Sequence, residues 1–163
     1  MTILAIDPGP TESAFLTLES GLHIGEFGVL PNGVLLERLG GEFWSVDPSR
    51  YHLQLVIEQI RGYGITAGNE TFDTCWWSGR FYERFRGAVA MLPRKTIATH
   101  LCGHARPGDK FIRQALIDRL GGPGMKRQPG PTYGVTSHVW AALAVAVTWY
   151  DMQYDLDRSG VKA

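Results

Sequence analysis

Residues 1–10 read MTILAIDPGP, and how this run ends decides the fold. Ile3, Leu4, Ala5 and Ile6 are apolar without alternation, the pattern of a strand buried on both faces. Pro8 and Gly9 stop that strand directly after Asp7. A carboxylate therefore stands at the lip of a buried sheet. Burying an unpaired carboxylate is expensive, so such an Asp is hydrogen-bonded, paired or bound to a metal. Asp7 is the first candidate site residue. The plain alternative is an Asp that merely opens an Asp-Pro-Gly turn.

A chain of 163 residues suits one domain with a single sizeable core. Its 16 Lys and Arg cancel its 16 Asp and Glu, so global charge names no partner and nucleic-acid binding would have to rest on local patches. Cys75 and Cys102 are far apart with no CxxC pairing, which argues against a disulfide scaffold or a zinc site. No basic leader with an apolar core opens the sequence, and no apolar run reaches about 18 residues. The expectation is a soluble cytoplasmic protein with no membrane partner.

Outward from the first strand, Ser13–Leu18 and Leu22–Val29 are short, partly alternating runs separated by Glu19-Ser20-Gly21, a hairpin signal. Pro31-Asn32-Gly33 breaks the pattern, and Val34, Leu35, Leu36 and Leu39 predict a helix that Gly40-Gly41 interrupts. Tyr51–Ile57 (YHLQLVI) is a second interior strand, and it too ends in an acid, Glu58. Helical spacing then runs from about Thr71 to Leu92, with Trp77, Phe81, Phe85, Ala88 and Leu92 on one stripe, read as core or as a dimer face. Lys95–Leu101 (KTIATHL) reads as a further strand, Cys102–Gly108 as a loop, and Asp109 as the cap of a helix carrying Phe111, Ile112, Ala115, Leu116 and Leu120. The Gly/Pro-rich stretch 121–134, with Lys126 and Arg127, predicts a mobile basic loop without regular structure. A last helix opens at Thr136-Ser137 and runs from His138 to about Tyr150, apolar nearly all round and hence buried. The expected domain is 1–155, with 156–163 a frayed tail.

Ile6-Asp7 and Ile57-Glu58 are the informative pair: two buried strands deliver acids at their carboxyl ends, where open α/β sheets place ligands. Two such acids could share a metal ion. With DPG after the first strand, IEQ after a later one, and a late HxxAALAVAVT helix behind a basic Gly/Pro loop, the chain resembles the RuvC-type Holliday junction resolvases of the RNase H-like superfamily, including their phage members. The resemblance spans Ile3 to Thr148 and takes in Lys110 at the Asp-Lys start of the preceding helix. It implies an α/β fold with an RNase H-like mixed five-stranded sheet, three antiparallel amino-terminal strands plus two parallel ones, flanked by helices. It also implies that Asp7, Glu58 and His138 are catalytic and metal-binding.

One position departs from the family pattern: Ala141 stands where the family carries its last Asp. Residues three apart on a helix sit about 60° apart around its axis, so an Asp there would flank His138. Ala offers no ligand, and Asp151 lies about 15 Å further along the axis on another side. Two readings of Ala141 stand open, a natural variant with a depleted site or a deliberate Asp-to-Ala inactivation of the kind made to trap substrate.

The resemblance implies a structure-selective endonuclease that resolves four-way and other branched DNA junctions. It implies Mg²⁺ or Mn²⁺, two ions per intact site, acting on water and leaving group. DNA contacts would come from Arg61, Arg80, Arg84, Arg94, Lys95, Arg106, Lys110, Arg113, Lys126 and Arg127, with Arg61 or Tyr63 in the place of the family's stacking aromatic. Two symmetry-related cuts make a homodimer economical, with Trp76, Trp77 and Phe81 as its contact. A YqgF-like RNA-processing nuclease and a junction-binding protein without catalysis are the alternatives.

Overall fold

The computed structural model describes residues 1–41, 44, 53–62, 64 and 66–159, with 155–159 as backbone only. Tyr51, His52 and Tyr63, named above, lie outside the described residues. Strands β1 (Thr2–Asp7), β2 (Glu12–Glu19) and β3 (His23–Pro31) are followed by helix α1 (Asn32–Gly40), strand β4 (Leu53–Gln59) and helix α2 (Asn69–Arg84). Strand β5 (Ala88–Pro93), helices α3 (Arg94–Cys102) and α4 (Asp109–Leu120), a small hairpin β6 (Gly124–Met125) and β7 (Gln128–Pro129), and helix α5 (Val139–Ser159) complete the chain. The large sheet has the order β3-β2-β1-β4-β5. Its β1–β2 and β2–β3 pairs are antiparallel and its β1–β4 and β4–β5 pairs parallel. This is the mixed five-stranded RNase H-like sheet expected from the sequence.

Side-chain alternation sorts the sheet into two faces. Ile3, Ala5, Val56 and Leu92 pack with Leu143, Val147, Ile97 and Ile112 from α5, α3 and α4. Leu4, Ile6, Leu55 and Ile57 pack instead with Leu35 and Leu39 from α1, Phe81 from α2 and Phe85 just past it. The central strands are buried on both faces, which is why they read as unbroken apolar runs.

Five local expectations are corrected. Helix α2 ends at Arg84, and residues 88–93 form β5 rather than the end of a long helix. Phe85, Ala88 and Leu92 match a helical stripe, but a short run that is apolar throughout fits either period, and Gly87 is the signal that separates them. The KTIATHL segment is helix α3, not a strand. Its β-branched residues favour a strand by propensity, yet Ile97, Ala98 and Leu101 form one stripe on the core, and Gly103 closes the helix with φ 76°. Asp109 is the first residue of α4 and makes no side-chain cap bond; Gly108 takes the cap position. The 121–134 stretch contains the β6–β7 hairpin, with a Gly130 N–H to Pro123 carbonyl bond of 2.8 Å and a Thr132 hydroxyl to Gly121 carbonyl bond of 2.9 Å at its base. At its far end α5 continues to Ser159, beyond the expected stop at Tyr150.

Candidate active site

Asp7 ends β1, and the β1–β4 register sets Ile6 beside Ile57, so the next step along both strands brings Asp7 level with Glu58. Residues level in a parallel pair point to the same face. That face is the one covered by α5, because Ile3 and Ala5 share the parity of Asp7, and Val56 that of Glu58. Glu58 is the last but one residue of β4, one step inside the strand rather than after it.

The turn after Asp7 is held by a buried polar network. Gly9 N–H donates to the Ser13 hydroxyl at 3.1 Å, Ser13 donates to Asn32 Oδ1 at 2.6 Å, and the Asn32 side-chain amide donates to the Gly9 carbonyl at 2.9 Å. A side chain at Gly9 would put its Cβ 2.3 Å from the Glu12 carbonyl oxygen, so only glycine fits. Asn32 was read only as a breaker; the structure makes it the brace of the acid turn.

The acids open onto a cavity of about 820 Å³ that also reaches Arg94, Asp109, Arg113, His138 and Ala141. His138 precedes α5 by one residue, with its Nδ1 3.6 Å from Asp7 Oδ2, and Ala141 lies one turn on beside the same cavity. The site expected from the sequence, Asp7, Glu58 and His138 with Ala141 beside them, is therefore brought together around one hollow.

Burial pushes the Asp7 carboxyl from its usual 3.8 up to about 7, with the Glu58 charge adding to the rise and Arg94 opposing it. Burial raises Glu58 as well, against the pull of Arg94. Arg94 was counted among surface cations and stands instead inside the site, its Nη1 3.4 Å from Glu58 Oε1 and its Nη2 paired with Asp109. Burial works against the Arg94 charge, but Glu58 and Asp109 outweigh it and hold the guanidinium above its ordinary range. Sequence spacing carries no signal for this pairing, because Glu58, Arg94 and Asp109 come from three elements.

Two buried carboxylates that repel one another and lack a hydrogen-bond donor for Asp7 among the described residues form a donor set that fits one hard divalent ion. Among the described residues no group of three or more His, Cys, Asp or Glu side chains is placed to hold a metal, so a bound ion would rest on this pair and on water oxygens.

The candidate DNA-binding residues separate into groups. Arg113 lines the cavity with its guanidinium 4.9 Å above the Trp140 ring, and Lys110 lies one turn before it on α4. Lys95 follows Arg94 in the first turn of α3, and Arg106 is exposed in the loop before α4. Lys126 and Arg127 form the exposed turn of the β6–β7 hairpin, while Arg61 follows β4 and donates to Gln59 at 2.8 Å. Arg80 and Arg84 belong elsewhere, on α2, where Arg80 stacks 4.7 Å from Trp76 and 4.5 Å from Trp77. The expected dimer contact changes too: Phe81 is fully buried in its own chain and Trp77 packs against that core, which leaves Trp76 as the exposed member.

No protein-family profile matches the sequence, and no curated protein matches it. Among solved structures the chain is similar to Thermus thermophilus RuvC, at 19% identity and a TM-score of 0.61, over 98% of this chain and 97% of that one. It is equally similar to T. thermophilus RuvC in complex with Holliday junction substrate, at 19% identity and a TM-score of 0.63, over 94% and 96% of the two chains. The RuvC-type resemblance read in the sequence thus holds for the fold over nearly the whole length. No helix among the described residues is long and apolar enough to cross a membrane.

Proposed function

We propose that this protein is a divalent-metal-dependent endonuclease that cuts branched DNA, with the four-way junction as its substrate. One observation carries the reading. On a fold shared with a RuvC that was solved on a Holliday junction, Asp7 and Glu58 stand level on adjacent parallel strands and face His138 across one cavity.

Mg²⁺ or Mn²⁺ held by Asp7 and Glu58 would make the attacking water nucleophilic and offset charge on the leaving 3′ oxygen. The chain's own groups do the rest. Burial raises both the Asp7 and the Glu58 carboxyl, so a cation held by them would replace the bound proton and offset the cost of their charge in a half-dry pocket. His138 is exposed at the pocket mouth with one ring nitrogen toward Asp7, so it can orient a water for attack. Arg94 and Arg113 line the pocket and offer phosphate contacts; Lys95, Arg106 and Lys110 stand on α3, α4 and the loop between them, and Lys126 and Arg127 at the exposed turn of the hairpin. Two symmetric cuts would be made by a homodimer formed through the exposed side of α2 around Trp76.

The test is binding and cleavage of a four-way junction, a plain duplex and a structured RNA, in EDTA and in Mg²⁺ or Mn²⁺, beside the Ala141→Asp variant. Junction-selective binding in EDTA and nicking only with metal are expected, with faster nicking by Ala141→Asp, which adds a carboxylate next to His138. Equal binding of all three nucleic acids ends the junction reading. Tight junction binding with no nicking by either chain assigns instead a clamp without chemistry, the reading that Ala141 favours.

A further inference from the structure

We propose that Arg94 is the resident cation of the acid site: it takes the place of a second divalent ion, so the chain holds one such ion and turns the guanidinium toward the scissile phosphate. The phosphate role rests on the nuclease reading above; the charge role does not.

The position of Arg94 follows from the sheet. β5 pairs with β4 so that Leu92 lies beside Glu58 and Pro93 beside Gln59, and Arg94 is the next residue, the first of α3. It therefore emerges just past the row of acids. Its two terminal nitrogens bridge Glu58, which is 5% exposed, and Asp109, which is otherwise in solvent. Asp109 is solvent-exposed, so this second arm of the fork lies at the mouth of the site while the first reaches the buried Glu58. The Arg94 side chain is 44% exposed, and a guanidinium carries five N–H donors, so donors remain for an anion entering the cavity.

The rest of the site agrees with a single ion. Ala141 brings a methyl group to the cavity, so Asp7 and Glu58 are the two strand-borne carboxylates left to hold an ion. With Asp7, Glu58 and Asp109 near one another, a single divalent ion plus one guanidinium balances three carboxylates. A guanidinium does not lose its proton at any working pH, and its planar fork matches two phosphate oxygens as a lysine does not.

Calorimetric titration of the full chain with Mn²⁺ alone tests the charge role without catalysis. One Mn²⁺ per wild-type chain is expected. Arg94→Met frees Glu58 and Asp109, and should bind Mn²⁺ about tenfold more tightly or take up a second ion. Arg94→Lys, which keeps the charge, should stay at one ion. Two ions per wild-type chain overturn the proposal, and so does a folded Arg94→Met that binds one ion with unchanged affinity, the result expected of a mere tether between α3 and α4. If Arg94→Met fails to fold, the wild-type and Arg94→Lys stoichiometries decide: one ion in each supports the proposal, two in either overturns it. Junction binding in EDTA reads the phosphate role, with a loss of about tenfold in Arg94→Met and a smaller loss in Arg94→Lys expected. A wild type that ignores junctions defeats the nuclease reading alone, since the Mn²⁺ count still decides the place of Arg94.

Discussion

The two faces of the one sheet differ in a single respect, and the difference locates the chemistry. On the α1/α2 side, Leu4, Ile6, Leu55 and Ile57 meet a wholly apolar cluster with Phe81 at 0% exposure. On the α5 side the same strands carry Ile3, Ala5 and Val56, and then, where α5 begins, Asp7 and Glu58. The α1/α2 face is closed by that cluster, with Thr74 and Ser78 of α2 buried as well. The other face is closed only as far as α5 covers it, and the acids occupy the uncovered end. Both faces carry core, and the proposed chemistry falls where the α5 face runs out of apolar side chains, at Asp7 and Glu58.

The sharpest way to break that comparison is one substitution on each face. Phe81→Ala should cost about 3–5 kcal/mol through the cavity it leaves, a fall of roughly 10 °C in melting temperature, with the metal site unchanged in the folded fraction. Asp7→Asn should do the reverse: nicking falls by roughly a thousandfold, while melting temperature at pH 8 rises, because a buried repelling charge is gone. Calorimetric melting beside junction nicking reads both. Loss of stability in Asp7→Asn would mean that the acid holds the fold together rather than straining it.

A pH series gives the next largest effect. In the metal-free chain Asp7 keeps its proton up to about pH 7, whereas an unfolded Asp releases it near the usual 3.8. The folded state therefore binds the extra proton between those values, and stability falls as pH rises through that window. The contribution is present in full below about pH 4 and lost above about pH 7, on the order of 4 kcal/mol. Thermal melting in EDTA from pH 4 to 8 should show the decline. Asp7→Asn should flatten it, and Mn²⁺ should raise the melting temperature more at pH 8 than at pH 5. A metal-free chain that grows more stable from pH 5 to 8 contradicts the buried, repelling pair.

Sequence carried the two faces unequally. Asp7 and Glu58 were legible because each ends an apolar run, and a charge there has few explanations. His138 and Ala141 are singled out only by the resemblance to the RuvC-type pattern, because a histidine opening a buried helix is by itself ordinary. Arg94 was visible only as one cation among many, since its pairing with Glu58 and Asp109 depends on how β5 and α3 return to the sheet. Asn32 lay hidden as a turn residue for the same reason: its bonds to Gly9 and Ser13 close across two strands. Segments 88–93 and 95–101 exchanged strand and helix because both are short, and the packing that decides them is not local.

The smallest effect concerns the outer surface of α2, beyond the apolar face. Phe72 and Trp76 are 63% and 58% exposed one turn apart, with Arg80 stacked on Trp76 a turn later. A twofold pairing of two such helices would bury these rings against their symmetry mates, and a Trp at the centre of an interface is often worth about 2 kcal/mol. Sedimentation at micromolar concentration should therefore show a dimer that Trp76→Ala weakens by roughly thirtyfold, with Mn²⁺ binding and melting of the subunit left nearly unchanged. Because Trp76 points away from the sheet while Phe81, little more than a turn further on, fills its core, the two variants separate assembly from folding on one helix. A wild type that sediments as a monomer would leave the Trp76 face without this role and would require the two strands of a junction to be cut by independent subunits.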